Sequence, residues 1–448
     1  MLLRGRQNIF CLILAALSIF PLPGCAKKLT CLQEDYQRGY LIGNIKFSLS
    51  GTYRLRGEVQ DSFNIRAYGT GACEDYLLSR LRLEIDWRWT SQFRLHAQFQ
   101  DARTLGLSFS DEDFSGGNNP YRDPVDINQL YFEYRPSKTV GLKIGRQPLS
   151  YGDRRVFGPG DWSNTGRYAW DAVRLEIDGK SFSSHWLAGR VVLHAPDRRP
   201  NAHAGGPTAY ASYNSIKNLP FNLDIFYVFK HDGRGSTKGE GGTGDLFSHS
   251  TGFRIEGQGG QWDYSAMGVR QFGHWGADDI KAHGLAFSLG YTFDASWKPH
   301  LIIQYILGSG DKNPTDGIHG TFDGIFSGAD TVLYGWMNLF FWQNLREFRV
   351  DLILRPAETL TFRGEYHHFE LDEAKDAWYF PGKALRRDVT GFSGRRLGNE
   401  IDLTVRKRLS GWLEILSGVC FYLPGEFVKN TGPSPAAKWF FLETTFSF

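Results

Sequence analysis

The sequence predicts an all-β fold, a transmembrane antiparallel β-barrel of about 18 strands with long extracellular loops. Three observations predict it. Segment after segment alternates oily and charged residues with a period of two. An apolar N-terminal stretch reads as an export signal, yet no later stretch reaches the ~18 apolar residues a spanning helix needs. The chain ends on an alternating aromatic strand that finishes at Phe448.

Composition agrees. Hydrophobic residues make up 41% and mean hydropathy is −0.35. That excludes a helical membrane protein but not a barrel, whose strands average an oily face with a polar one. Aromatics at 15% and 52 glycines beside 3 methionines suit strands, girdles and turns. The net charge of +3 falls to +1 once residues 1–25 are removed, because they carry Arg4 and Arg6 and no acid, leaving 49 basic against 48 acidic residues. No charge block dominates, which argues against a nucleic-acid partner. Arginines outnumber lysines 34 to 17. Arg presents a planar fork that matches carboxylates and stays ionised everywhere. A near-neutral chain rich in Arg and acids points to paired charges in a wet interior.

Residues 1–25 read as a signal peptide. Arg4 and Arg6 form its basic region, and Ile9 to Phe20 its apolar region of twelve residues, too short to span a bilayer. Leu22-Pro23-Gly24-Cys25 resembles a lipoprotein cleavage box with Cys25 lipidated; ordinary cleavage after Ala26 is the alternative. Residues 26–44 are then an N-terminal periplasmic segment, and 45–448 the barrel in the bacterial outer membrane. Cys11 leaves with the signal. Cys31 and Cys73 either pair in an oxidising compartment or stand alone, and their spacing fits no metal motif.

The strands follow in order. In 77–89, Leu77, Leu81, Leu83, Ile85, Trp87 and Trp89 oppose Arg80, Arg82, Glu84, Asp86 and Arg88. A short turn leads to 93–100, where Phe93, Leu95, Ala97 and Phe99 oppose Arg94, His96, Gln98 and Gln100. Val173, Leu175 and Ile177 oppose Arg174, Glu176 and Asp178. Phe348, Val350, Leu352 and Leu354 oppose Arg349, Asp351 and Arg355; Leu360, Phe362 and Tyr366 oppose Arg363, Glu365 and His367; and Ile401, Leu403 and Val405 oppose Glu400, Asp402, Thr404 and Arg406. Runs near 45–59, 127–135, 221–230, 250–257, 284–293 and 300–307 are similar or weaker. A soluble sandwich also alternates, but it exposes charge singly. Repeated mixed-sign charges on one face instead suit a polar lumen.

In the last strand Phe440, Leu442, Phe446 and Phe448 share a face, the signature read by the outer-membrane insertion machinery. Polar loops are expected at 101–125, 231–248, 309–331 and 370–398, outside or folded into the pore.

One stretch is more specific than composition. Residues 144–175 contain Gly145-Arg146-Gln147, Gly152-Asp153-Arg154, Trp162-Ser163-Asn164, Arg167 and Trp170-Asp171. Further on come Gly308-Ser309-Gly310-Asp311, Thr321-Phe322-Asp323, Tyr366-His367-His368-Phe369, Gly398-Asn399-Glu400 and Pro424-Gly425. The chain resembles the alginate export family of outer-membrane porins over roughly 40–448, with Ala172 where the family commonly has Gly. The resemblance implies a monomeric barrel of about 18 strands with an Arg-lined constriction. In well-known members it passes an anionic uronate polysaccharide outward.

A polyuronate carries one carboxylate per sugar, so its passage needs cations spaced along the lumen, each binding strongly enough to admit it and weakly enough to release it. Arg forks bind carboxylates with two charge-assisted hydrogen bonds. The constriction is expected at Arg146, Arg154, Arg155, Arg167, Asp171 and Arg174, with Asp161 or Asp171 holding the forks. Arg54, Arg56, Arg80, Arg82, Arg94, Arg349 and Arg363 would form the lumen track, though each could instead staple strands through a salt bridge. The segment 152–167, with Trp162 among its charges, suits a loop folded into the pore.

Nothing points to catalysis, a metal or a cofactor. Asp278-Asp279 and the acids near Glu370 read as solvated loop acids. His367 and His368 alternate across a strand and cannot chelate one ion. The phosphate-loop and nucleophile-elbow motifs are absent. The expected function is a porin for an anionic polysaccharide or other carboxylated solute. Two alternatives stay open: a barrel enzyme acting on polysaccharide, and a structural barrel with a plugged lumen.

Overall fold

The computed structural model describes residues 40–42 and 45–448, apart from 116, 159, 167, 168, 204, 205, 236, 237, 240, 241, 328–332, 381 and 382. The expected signal peptide with Cys25, Cys31 with its expected alternative of a bond to Cys73, and Arg167 lie outside the described residues.

Eighteen long strands run antiparallel in chain order. They are β1 (Ile45–Asp61), β2 (Glu74–Arg88), β3 (Phe93–Leu105), β4 (Asp123–Tyr134), β5 (Val140–Gln147), β6 (Ala169–Asp178), β7 (Phe182–Val192), β8 (Thr208–Ile216), β9 (Asn222–Asp232), β10 (Leu246–Gly259), β11 (Trp262–Trp275), β12 (Asp278–Thr292), β13 (His300–Gly308), β14 (Leu345–Ala357), β15 (Leu360–Leu371), β16 (Arg396–Arg408), β17 (Leu413–Pro424) and β18 (Ala437–Ser447). Each pairs with its neighbours in sequence, and β1 pairs with both β2 and β18. The sheet therefore closes with no free edge, as lipid requires. The terminal residue takes part: Phe448 and Gly51 exchange backbone hydrogen bonds of 2.9 and 2.7 Å. Residues 40–42 fold back on the start of β1.

The period-two reading places the side chains. On β2, Leu83 and Trp87 are exposed on the outer wall while Arg80 is buried inside. On β6, Val173, Leu175 and Ile177 face out while Glu176 is buried. Tight turns join the strands at one end, the periplasmic end by the usual asymmetry of such barrels, and long loops at the other. Trp87, Trp89, Trp262 and Trp297 ring the outer wall at the short-turn end, where an interfacial aromatic girdle belongs.

Two loop boundaries differ from the sequence reading. β3 runs on to Leu105, because Arg103 and Asp101 pair at 3.0 Å and carry the strand above the apolar band. The loop after β13 spans residues 309–344. Its apolar stretch buries Leu333, Tyr334, Trp336, Met337, Leu339, Phe340 and Trp342 inside the barrel, packed on inward residues such as Val269, Ala282 and Ile306. An 18-strand bore is too wide for wall side chains alone to fill. Here loops fill its long-loop half.

Candidate functional site

Residues 148–158 and 160–166, between β5 and β6, turn inward and cross the lumen. Arg154, at φ 71°, makes the first bend, its N–H donating to Tyr151 O at 2.9 Å. Gly166, at φ 76°, makes the return; a Cβ there would lie 2.6 Å from Arg82 Nη2.

Four arginines from two adjacent strands grip the far side of this loop. Arg54 and Arg80 stand directly opposite each other across β1 and β2. Like charges so placed repel, so the pair needs carboxylates from outside these two strands. Glu443 on β18 comes within 3.7 Å of Arg54, and Asp161 answers Arg80. Arg80 donates to both its oxygens at 3.0 and 2.7 Å, and Arg82 to Oδ1 at 2.9 Å. Arg54 donates to the carbonyls of Asp161 and Ser163, each at 2.9 Å. Arg56 donates to Trp162 O at 2.5 Å and lies 3.9 Å over the Trp162 ring. Behind them Glu58 and Glu443 neutralise part of the charge. Burial opposes ionisation of Asp161, but Arg80, Arg82 and Arg54 outweigh it and hold its carboxyl well below the usual range. Its side chain is still 57% exposed. The forks are buried while the acid they hold faces open space.

The loop's other end reaches the opposite wall. Arg155 pairs with Asp153 at 2.9 Å, reaches Gln304 on β13 at 3.4 Å, and lies 5.4 Å over Tyr334. Burial raises the Tyr334 hydroxyl, with Arg155 opposing. Phe157 stacks on Phe326 at 5.4 Å, and Trp162 meets Trp336 edge-on at 5.2 Å. An aromatic seam therefore joins loop 148–168 to loop 309–344 across the bore.

Acids on β15 and β16 hold this second loop. Glu400 accepts the Met337 N–H at 2.8 Å, and Glu365 the Trp336 indole N–H at 2.5 Å. Arg349, 1% exposed, binds Asp351 and Glu365; Arg363 binds Asp351 at 2.8 Å. His367 lies inside between Glu347 (2.7 Å) and Asp402 (3.2 Å), while His368, on the outer face, contacts Asn399 at 2.7 Å.

The remaining selected residues scatter. Arg146 is where β4–β5 pairing ends; it grips Asp171 at 2.9 and 3.1 Å and reaches Ile127 O and Asn201 O. Arg174 pairs with Glu176, and Arg94 with Asp86 (2.5 Å) and Glu133 (3.2 Å), nearer the periplasmic end. Arg154 has no carboxylate partner among the described residues. The structure thus brings Arg54, Arg56, Arg80, Arg82, Asp161 and Trp162 together. Arg146, Asp171, Arg174, Arg94, Arg349 and Arg363 stand elsewhere on the wall, and Arg155 lies at the loop's other end. Below the seam Lys46, Glu84, Asp86, Arg88, Arg94 and His96 line an open cavity of about 270 Å³.

Residues 46–441, nearly the whole barrel, match the alginate export family. The chain belongs to that family. No match is found among curated proteins. Solved structures share the fold. Acinetobacter baumannii OccAB2 superposes with a TM-score of 0.61 at 13% identity, over 90% of this chain and 98% of the other. Pseudomonas aeruginosa OpdQ gives 0.61 at 14%, over 91% and 99%. The P. aeruginosa outer membrane protein OprD gives 0.57 at 10%, over 89% and 94%. This alginate export family member is thus an outer-membrane β-barrel of the porin type.

Sequence reasoning passed over the partners that decide what each arginine does. Glu58, Glu133, Glu176, Asp351 and Glu443 all sit on charged strand faces that alternation marks as inward. Trp336 and its apolar neighbours carried a signal too, an unalternating oily run in a loop too short to be a domain.

Proposed function

We propose that this barrel is an anion-selective channel for a carboxylated solute, an anionic polysaccharide of the alginate-like polyuronate kind, and that it transports rather than catalyses. The observation that carries the reading is the convergence of Arg54, Arg56, Arg80 and Arg82 on loop residues 161–163, where Arg80 and Arg82 hold the half-exposed carboxylate of Asp161. Four positive charges face three negative ones, Asp161, Glu58 and Glu443, a local balance of +1. Asp161 occupies the position that a passing uronate carboxylate would take. A solute that replaces it on Arg80 and Arg82 loosens the loop, which Arg54 and Arg56 still hold by its backbone, and Asp161 returning displaces the solute. Exchange between two carboxylates keeps binding shallow, as transport requires.

Arg154 and Arg155 belong to the same in-folded segment in this reading, and Arg94 and Arg174, each already paired, offer further exchange points toward the periplasm. Arg146 with Asp171, and Arg349 with Arg363, hold wall and loop. The protein works as a monomer among outer-membrane lipids, and Phe448 is recognised by the insertion machinery.

Planar-bilayer recording tests the proposal. Chloride should pass in preference to potassium, oligouronates should block transiently, and R80Q/R82Q should weaken both effects. Cation preference would overturn it. The aromatic seam from Phe157 to Trp336 favours one rival, a plugged structural barrel. That rival predicts no conductance from correctly folded protein.

A further inference from the structure

The outer wall of a barrel should be apolar where it meets lipid, and ions there are costly at mid-depth but tolerated at the interfaces. One sector of this wall breaks the rule. On β11 and β12 the inward residues Met267, Val269, Gln271, Ile280 and Ala282 are buried, so Arg270, Lys281 and His283 project outward, and all three are exposed. Arg270 pairs in register with His283, and Phe272 with both Lys281 and His249. The four basic side chains are therefore neighbours on one face.

Their depth is fixed by register. Eight residues separate Arg270 from Trp262 of the lower girdle, and eight separate His283 from Tyr291. At the usual rise and tilt that is roughly 21 Å, close to the top of the ~25 Å apolar band. Below lie Leu285, Phe287 and Phe253, all exposed to lipid. Three other outward bases near this rim lie beside acids: Arg103 pairs with Asp101 at 3.0 Å, Arg346 with Asp372 at 2.8 Å, and Lys438 lies opposite Asp61. Among the described residues the one outward acid on β11 and β12, Asp279, is bound to His274 at 3.0 Å. Arg270 and Lys281 have no carboxylate partner among the described residues.

We propose that Arg270 and Lys281, flanked by His283 and His249, form a seat on the outer wall for a phosphate-bearing lipid headgroup of the outer leaflet. The Arg fork would take two phosphate oxygens, Lys would add a point charge, and the apolar rows below would take the acyl chains. A soluble anion would not use those rows. This site is independent of transport through the lumen.

Native mass spectrometry of the full chain in detergent tests it, with diphosphorylated lipid A as the probe. The wild type should retain the lipid, and R270Q/K281Q should retain it roughly thirtyfold more weakly. R103Q/K438Q, which removes two charges from the same wall, should behave as wild type. Gel mobility without heating checks that each variant is folded. Should R270Q/K281Q not fold, the wild type decides alone: dephosphorylated lipid A must be lost and the phosphorylated form kept. Equal retention by R270Q/K281Q, equal retention of the two lipids, or full displacement by inorganic phosphate at the lipid's concentration would each overturn the proposal.

Discussion

Neutralising Asp161 isolates what the arginine cluster does. D161N keeps the size and one acceptor oxygen of the side chain but removes its charge. Three contacts weaken, two from Arg80 and one from Arg82. A hydrogen bond to a buried charged group contributes ~1.5–3 kcal/mol. Because the carboxylate is 57% exposed, water screens it and the smaller scale of exposed pairs applies, up to ~1 kcal/mol each. The loss is then about 2 kcal/mol, or roughly thirtyfold more of the undocked loop. The loop does not fall away, because Arg54 and Arg56 still bind its backbone. The local charge meanwhile rises from +1 to +2, counting the same four arginines and three acids less one. Single-channel recording should show longer open times and a stronger preference for anions. Unchanged open time together with unchanged selectivity would refute both the latch and the exchange site.

Acid should act late on the same latch. Arginine holds the folded carboxyl of Asp161 below its unfolded value of about 3.9, so its stabilisation is complete above that pH and lost as pH falls through the depressed value. Open time should stay flat from pH 8 to about 4 and rise only below; a rise between pH 7 and 5 would assign gating to another group. Phe157 and Phe326 form a bridge between the two in-folded loops, so F157C/F326C should cross-link on oxidation. Conductance should fall in the oxidised form and recover with reductant, whereas a permanently plugged barrel would show no change. R349A leaves the buried Asp351 and Glu365 to Arg363 alone, and should cost about 3 kcal/mol. The temperature at which the folded band disappears on gels should drop, while ion selectivity should not move.

The wall of this barrel was legible because lipid and lumen impose opposite demands at every second residue. The lumen's filling was not. Trp162 and Trp336 meet across the bore from loops far apart in sequence, and no local period encodes that contact. The unalternating run of Leu333, Tyr334, Trp336, Met337, Leu339, Phe340 and Trp342 did encode a need for cover, though not where the cover would come from.

The arginines show most clearly how far sequence reaches. Residues two apart on a strand share a face, and guanidinium–carboxylate pairs recur at that spacing: Arg56 with Glu58, Arg88 with Asp86, Arg135 with Glu133, Arg174 with Glu176 and Arg349 with Asp351. Those wall arginines carry their own neutralisation in the local sequence. Arg54 and Arg80 have no acid two residues away on either side. Their register then sets them against each other across β1 and β2, a placement that these two strands alone cannot hold. Acids from outside these two strands must answer them: Glu443 of β18 comes within 3.7 Å of Arg54, and Asp161 of the in-folded loop takes Arg80, so the charge order of β1 and β2 requires carboxylates from elsewhere in the chain at that height in the bore.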